Sequence, residues 1–574
     1  MKNKRLNINT SKLFTAKLLP KLLPKKLLPE KLLVWQTNNL KRRVYLIIFG
    51  FIFIYSLIAV RLIYISTSTI FQNDTYSKNY NYRRDIVDRN GNLLASSLPV
   101  YSLFANPNKM IEKQSNLERI GQIIKLKDRK ALLQKLNSNS KFVWLKYDLT
   151  PEEKKKITDL GIAGIGFEKK AKRIYSYSNL LAHVLGYVNV DNIGLAGIER
   201  FFDTDLLKNN EKPLELTIDV RIQNIVSAEL DNAIKEYSAE GGVAVVINPN
   251  SGEILALSSK PDFNPHIPGK ATTAQLFNKA SLGVYEFGSI FKILTLAIGL
   301  DTKTIKPTHK YDVTALKVGK YQIHDFPRDY PGVFTVADLF VKSSNKGIAK
   351  IALDIGEENF KNYLKKLQLN SNIITEIPEK TAPIFPNDSN WSPISMVTRS
   401  YGYGIATNIL TFLQAIIPAV NGGVMYPLTL VKKDIELLEG ERVFSEQTSK
   451  DVNKLLRRVV VKGTGKRAEV NGYLVGGKSG TAEKLQGNKY SKNSRISSFV
   501  SVFPVINPKY LIHVMLDNPK ATKKTFGLAT GGINAAPTCA KIISRIIALD
   551  GMPPYDLNDP SIIKQLSIEK DETI

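Results

Sequence analysis

Ser289 stands three residues before Lys292 in the segment Glu286-Phe287-Gly288-Ser289-Ile290-Phe291-Lys292, and the stretch after the lysine is almost wholly apolar. Gly288 punctuates, and Ile293, Leu294, Leu296, Ala297 and Ile298 leave no polar face. The spacing predicts a helix over 290–300 that is buried rather than lying at the surface. A lone ammonium on such a helix is expensive, so Lys292 must be paired or its pKa must fall. Residues three apart on a helix share a face. A serine hydroxyl needs a base to become a nucleophile, and a desolvated lysine amine can be that base. Such chemistry needs no histidine. The five histidines, His183, His266, His309, His324 and His513, are scattered singly.

The S-x-x-K pattern alone is weak, because Ser138–Lys141, Ser343–Lys346, Ser561–Lys564 and Ser567–Lys570 repeat it without opening an apolar helix. Two further elements strengthen it. Ser343-Ser344-Asn345 falls in a segment, 336–356, that reads as helical. There Ser343 can relay a proton and Asn345 can hold a substrate amide, although caps and turns use the same residue types. Lys478-Ser479-Gly480-Thr481 stands at a strand start. A cation, two hydroxyls and a glycine without bulk suit an edge that binds a carboxylate and lets substrate backbone approach. The plain reading of the same four residues is a turn.

These residues must be positioned by a large chain. At 574 residues the prior is about four domains, enough to bury a core without staples. The single cysteine, Cys539, excludes an intramolecular disulfide and a multi-cysteine zinc site. With no H-E-x-x-H pair, a metalloenzyme is not expected. Of the formal charge of +28, residues 1–43 carry twelve basic side chains against one acid, Glu30. The remaining charges are interspersed and read as solvated surface. No compact basic domain interleaved with stacking aromatics is present, so nucleic-acid binding is not expected.

Residues 44–60, VYLIIFGFIFIYSLIAV, are uncharged, and LIYI resumes after Arg61. As a helix, the stretch to 65 spans about 33 Å, enough for a bilayer core. Lys41-Arg42-Arg43 at its start orient residues 1–43 toward the cytoplasm. A 43-residue leader is too long for a cleaved signal, so the helix reads as an anchor. The tail repeats KLLP, and its prolines forbid a continuous helix. It reads as a basic tail that can rest on anionic lipid.

Outside, residues 66–215 read as a mixed module of short strands, turns and helical runs, with Asp88-Arg89-Asn90-Gly91 as a tight turn. From 216 the texture changes. Residues 243–259 read as a hairpin, 497–505 and 510–517 as a second strand pair, and 289–300, 336–356 and 358–369 as helices between them. Strands at both ends with helices between predict an α+β domain. Residues 552–574 read as a loose polar tail.

The ordered set S-x-x-K, S-x-N, K-[ST]-G is specific as a set. With RRDIVDRNG (83–91), AHVLGYVNVDNIGLAGIE (182–199), VKGTGKRA (461–468) and GGKSGTAEK (476–484), residues 216–551 resemble the transpeptidase domain of penicillin-binding proteins. Residues 44–65 and 66–215 resemble the anchor and the N-terminal pedestal or dimerisation module of class B members, most closely the division-specific branch. Departures from the usual pattern are Asp85 after Arg84, Phe287 before the glycine, Ser176 in Arg173-Ile174-Tyr175-Ser176, and Lys346 after Asn345.

The resemblance implies a serine β-lactamase-like fold and a D,D-transpeptidase, with no cofactor. Ser289 attacks the penultimate D-alanine of a stem peptide, and Lys292 takes its proton. Ser343 with Lys292 or Lys478 protonates the leaving group. Asn345 holds the substrate amide, and Lys478, Ser479, Gly480 and Thr481 bind the terminal carboxylate. Backbone N–H groups of Ser289 and Thr481 form the oxyanion hole. Implied partners are D-Ala-D-Ala stems, β-lactams, membrane lipid, the septal glycan polymerase FtsW and other divisome proteins. The implied location is the inner membrane, with the catalytic domain periplasmic. An elongation-type paralogue would share this chemistry. A β-lactam hydrolase would need a water-activating carboxylate, and Glu358-x-x-x-Asn362 reads instead as a solvated helix face. A β-lactam sensor would need an effector domain larger than the 43-residue tail.

Overall fold

The apolar run with its basic flank forms one helix, Arg42–Ile63, 22 residues long and apolar enough to cross a membrane. Phe49, Ile52 and Phe53 on it are exposed, as side chains facing lipid would be. The computed structural model describes residues 42–63, 82–208, 212–326, 328–387, 391–433, 439–486, 489–525 and 527–568. The KLLP repeats and residues 64–65 of the expected anchor lie outside them. The chain divides into two units, Met1–Asn79 and Tyr80–Ile574, and the remaining elements all belong to the second.

The N-terminal part of that unit is built on a sheet. β1 (Ile86–Val87) and β2 (Leu93–Ala105) flank the predicted turn, where Asp88 accepts hydrogen bonds from the backbone of Asn90 and Asn92, each at 2.8 Å. β2 is long because it pairs on one side with β3 (Val143–Leu149) and, from Ala95 to Ala105, with β4 (Ile165–Tyr175). β5 (Leu214–Glu215) runs parallel to β1. Alternation along β2 and β3 turns Leu103, Ala105, Val143 and Leu145 inward, against helices 113–123, 129–137 and 151–159. Residues 182–185 form a short helix. A buried carboxylate ties this part together: Glu199 accepts from Arg83 Nε and from Arg173 Nε, each at 2.6 Å, with all three side chains fully shielded from solvent.

The second sheet carries the site. β6 (Gly241–Ile247) and β7 (Ile254–Lys260) form the predicted hairpin. β8 (Gly476–Gln486), β9 (Lys489–Phe503) and β10 (Tyr510–Asp517) complete an antiparallel sheet in the order β8-β9-β10-β6-β7, which leaves β8 at an edge. Period-two alternation sorts the side chains into two cores. Ala244, Val246, Phe499, Ile512 and Val514 meet the helices Val220–Glu236 and Ala535–Asp550 on one face. Val243, Val245, Val500 and Met515 meet the buried helices Lys292–Asp301, Ile409–Val420 and Glu446–Lys462 on the other. This is the α+β layering expected from strands at both ends of the segment.

Two expectations are corrected. The segment 336–356 is two helices, Val336–Lys342 and Asn345–Ile355, because Ser343 between them takes φ +59°. The described part of the expected loose terminus, to residue 568, is packed: the helix Pro560–Leu566 buries Ile562 and Leu566 against Leu474 and Val505. Local polarity hid two apolar anchors about one turn apart.

Candidate active site

Ser289 does not lie within the α-helix that Lys292 opens. It occupies the 3-10 turn Gly288–Ile290 immediately before Lys292–Asp301. Glycines hold that turn between two backbones. Gly288 sits at φ +51°, and its N–H donates to Gly402 O at 3.2 Å. A Cβ on Gly402 would fall 2.3 Å from Gly288 O, and one on Gly480 would fall 2.9 Å from Phe287 O. Phe287, where the family pattern has proline, stacks on Phe412 with centroids 3.8 Å apart. The backbone of Ser289 is thus pinned on both sides by neighbouring backbone.

Lys292 is fully buried, as its helix predicted. Its Nζ donates to Ser343 O at 2.6 Å and to Asn345 Oδ1 at 2.7 Å, with Ser343 Oγ at 3.3 Å. The break at Ser343 makes this possible. The left-handed turn delivers a carbonyl to the amine, and Asn345 comes next, on the first turn of the following helix. A non-glycine residue in that region costs roughly 1–3 kcal/mol, a strain that belongs at functional sites. A carbonyl and an amide oxygen can only accept. A neutral amine satisfies both with its two protons and keeps its lone pair for a hydroxyl hydrogen.

Lys478, on the edge strand β8, is also fully buried, and its Nζ donates to Ser343 Oγ at 2.9 Å and to Ser479 O at 3.0 Å. Ser343 Oγ therefore sits between two amines. Burial brings Lys478 down to about 7. Burial first, and the neighbouring Lys478 charge second, hold Lys292 well below the usual lysine range, against a smaller opposing pull from Asp325. Desolvation and like charge both favour the neutral form.

A cavity of about 460 Å³ opens over these groups, with Ser289, Ser343, Asn345, Ser479 and Thr481 on its wall. The two lysines lie behind that wall. Gly480 alternates away from it and makes room for Ile290. Five of the eight predicted residues thus face one space, and the other three shape it. Asn345 Oδ1 faces Lys292, and Nδ2 donates to His324 O at 3.0 Å, so its amide braces Lys292 from the cavity wall. The rival matches Ser138–Lys141 and Ser561–Lys564 are exposed, and Glu358 and Asn362 stand on the helix Glu357–Lys366, outside the cavity wall.

Several residues at the site had no isolated signal in the sequence. Asp325 accepts from Ser344 Oγ at 3.0 Å and from the Lys346 backbone at 3.0 Å, which fixes the S-x-N turn. Lys346 itself is buried against Asp329, at 3.2 Å. Thr464 Oγ1 shares a 2.7 Å hydrogen bond with Ser479 Oγ, and Gly531 N donates to Thr481 Oγ1 at 3.2 Å. The glycine pairs Gly402, Gly404 and Gly531, Gly532 were the readable hints. Among the described residues, no cluster of three or more His, Cys, Asp or Glu side chains is placed to hold a metal.

Comparison with known proteins adds to this geometry. Residues 242–544 match the penicillin binding protein transpeptidase domain, and residues 78–212 match the penicillin-binding protein dimerisation domain. The chain is 35% identical over 484 residues to the probable peptidoglycan D,D-transpeptidase FtsI of Caulobacter vibrioides, covering 82% of each chain. It is 31% identical over 503 residues to the probable peptidoglycan D,D-transpeptidase PenA of Neisseria gonorrhoeae, covering 82% of this chain and 85% of that one. The crystal structure of penicillin binding protein 3 from Mycobacterium tuberculosis, complexed with aztreonam, superposes with a TM-score of 0.65 at 24% identity, over 83% of this chain and 97% of that one. At that identity the likeness speaks for the fold.

Proposed function

The chain belongs to the class B penicillin-binding proteins, and on that premise we propose how its residues divide the work of a peptidoglycan D,D-transpeptidase. The enzyme acts on peptidoglycan stem peptides and binds β-lactams. Ser289 Oγ attacks the carbonyl carbon of the penultimate D-alanine as the lone pair of Lys292 removes its proton. The oxyanion is held by the backbone N–H groups of Ser289 and Thr481, each donor worth about 3 kcal/mol in such sites. Collapse breaks the C–N bond. The departing D-alanine amine receives the proton from Lys292 through Ser343 Oγ, with Lys478 completing the relay. Ser479 and Thr481 bind the terminal carboxylate beside Lys478. A neighbouring stem's amine then attacks the ester, forming the cross-link and returning the proton to Ser289.

The observation that carries this reading is Ser343 Oγ held between the nitrogens of Lys292 and Lys478, beside a pinned Ser289. A hydrolase is not favoured, because Glu358 and Asn362 lie away from the cavity. The test is labelling of the detergent-solubilised protein with a fluorescent penicillin. Native protein labels and keeps its label, and Ser289→Ala does not label. Equal labelling of both removes Ser289 from its role, and a native label that fades within minutes favours hydrolysis.

The helix Arg42–Ile63 is compatible with a single-pass anchor. The basic flank supports a cytoplasmic N-terminus and a catalytic domain outside the inner membrane. The likeness to FtsI of Caulobacter vibrioides supports work at the division septum with FtsW and other divisome proteins. The boundaries we take are 44–65 for the anchor, 66–215 for the N-terminal module and 216–551 for the transpeptidase domain.

A further inference from the structure

The cavity continues past the motif residues. β8 alternates, so Ser479, Thr481 and Glu483 face it in turn. Glu483 stands two residues beyond Thr481, about 7 Å along the strand. Its direct partner across the ladder is Arg495 of β9, which lines the same cavity. Opposite charges placed this way ordinarily close on each other. Here they do not: among the described residues, neither side chain is held in a salt bridge. The next residue, Lys484, does close, on Asp517 at 2.7 Å. Arg495 instead has its guanidinium carbon 6.0 Å from the centre of the Phe326 ring. Both side chains are half-buried. A carboxylate and a guanidinium thus look into one pocket without closing on each other.

A ligand that neutralises only one of them leaves the other desolvated and unpaired, which is unfavourable. The fitting ligand brings both charges at once. We propose that Glu483 and Arg495 form a subsite for a stem-peptide side chain ending in an ammonium and a carboxylate on one carbon, the ammonium on Glu483 and the carboxylate on Arg495. A side chain ending in a bare ammonium satisfies Glu483 alone. The inference rests on Ser289 being the nucleophile of this cavity. The zwitterionic head can arrive on the acyl-donor stem or on the acceptor stem, and the two sources are separable.

The experiment uses full-length protein in detergent. In the donor arm, D-alanine release is compared for two peptides ending in D-Ala-D-Ala, one with a zwitterionic side-chain terminus and one with a plain ammonium. In the acceptor arm, a fixed thioester donor is offered amines with and without a carboxylate on the same carbon, and cross-linked product is measured against hydrolysis. Native enzyme is expected to prefer the zwitterionic partner by about tenfold or more in one arm, a discrimination typical of a site that must pair its own polar groups. Glu483→Gln and Arg495→Gln should each reduce that ratio to about threefold or less, and the exchange Glu483→Arg with Arg495→Glu should restore part of it. Stoichiometric penicillin labelling identifies folded variants. No preference by the native enzyme in either arm, or a preference that survives both single substitutions, overturns the subsite. Failure of native protein to label would instead strike the Ser289 reading itself.

Discussion

Lys292 Nζ lies 2.6 Å from the carbonyl oxygen of Ser343, 51 residues later in the chain, and that carbonyl is within reach because Ser343 turns left-handed, at φ +59°. Backbone and hydroxyl of one residue thus do separable work: the carbonyl orients Lys292, and Oγ links it to Lys478. Ser343→Gly keeps the turn and the carbonyl but deletes the hydroxyl. It should retain native stability and lose about 10²-fold or more in acylation rate, the range for a proton-transfer group. Ser343→Ala should lose as much rate and also melt lower, since alanine bears the strain that glycine avoids. Stopped-flow β-lactam acylation with thermal unfolding reads both.

Lys478 carries a stability cost that depends on pH. Burial brings it to about 7, against about 10.4 in the unfolded chain. Between those values the unfolded state binds more protons, so native stability rises with pH from about 7 to about 10 through this group only in the sense that the penalty of the buried amine is relieved as the unfolded lysine also loses its proton. Below 7 both states are protonated and the penalty is present in full. Lys478→Met should therefore raise the melting temperature at pH 7, narrow that gain by pH 10, and abolish acylation. A substitution that destabilises equally at both pH values would refute the assignment.

The Arg83–Glu199–Arg173 cluster predicts a different phenotype. Removing the shared carboxylate by Glu199→Ala leaves buried Arg173 without its anion and Arg83 with Asp203 alone, a change that typically costs about 3–5 kcal/mol. Denaturant unfolding should show that loss, while penicillin labelling of the still-folded fraction proceeds at the native rate, because the cluster makes no contact with the cavity wall.

Gly402 belongs to none of the three motifs, yet it abuts the backbone of Gly288, the residue before Ser289. In Gly402→Ala the new Cβ would meet Gly288 O at 2.3 Å at a residue already held at φ +91°. Ser289 must then move. Displacements near 1 Å cost about 10²-fold in such chemistry, so acylation should fall by at least that much, with Tm lowered as well.

The sequence was legible where chemistry and periodicity coincide. The apolar helix after Ser289, the edge strand starting near Lys478 and the 243–259 hairpin each come from residue spacing, and all meet in the structure. The helix break at Ser343 was not legible, since no glycine or proline marks it and the strain is offset by Lys292, a partner distant in the chain. The contacts of Asn345 were not legible either: its amide is engaged by Lys292 and by His324 O, neither of them predictable from local pattern. Asp325, Thr464 and Gly531 act through contacts formed only on folding. The terminal helix Pro560–Leu566 was hidden by its polar surroundings.

The proposed mechanism requires Lys292 to act as an uncharged base, and the pH dependence of Ser289 acylation by a slow β-lactam tests it most directly. Burial and Lys478 hold Lys292 well below its ordinary range, so the second-order rate constant should stand on a plateau through neutral and mildly alkaline pH and fall only on acidification. A rate that climbs tenfold per pH unit from neutrality to above pH 10, as an ordinary lysine of pKa about 10.4 would dictate, would contradict it.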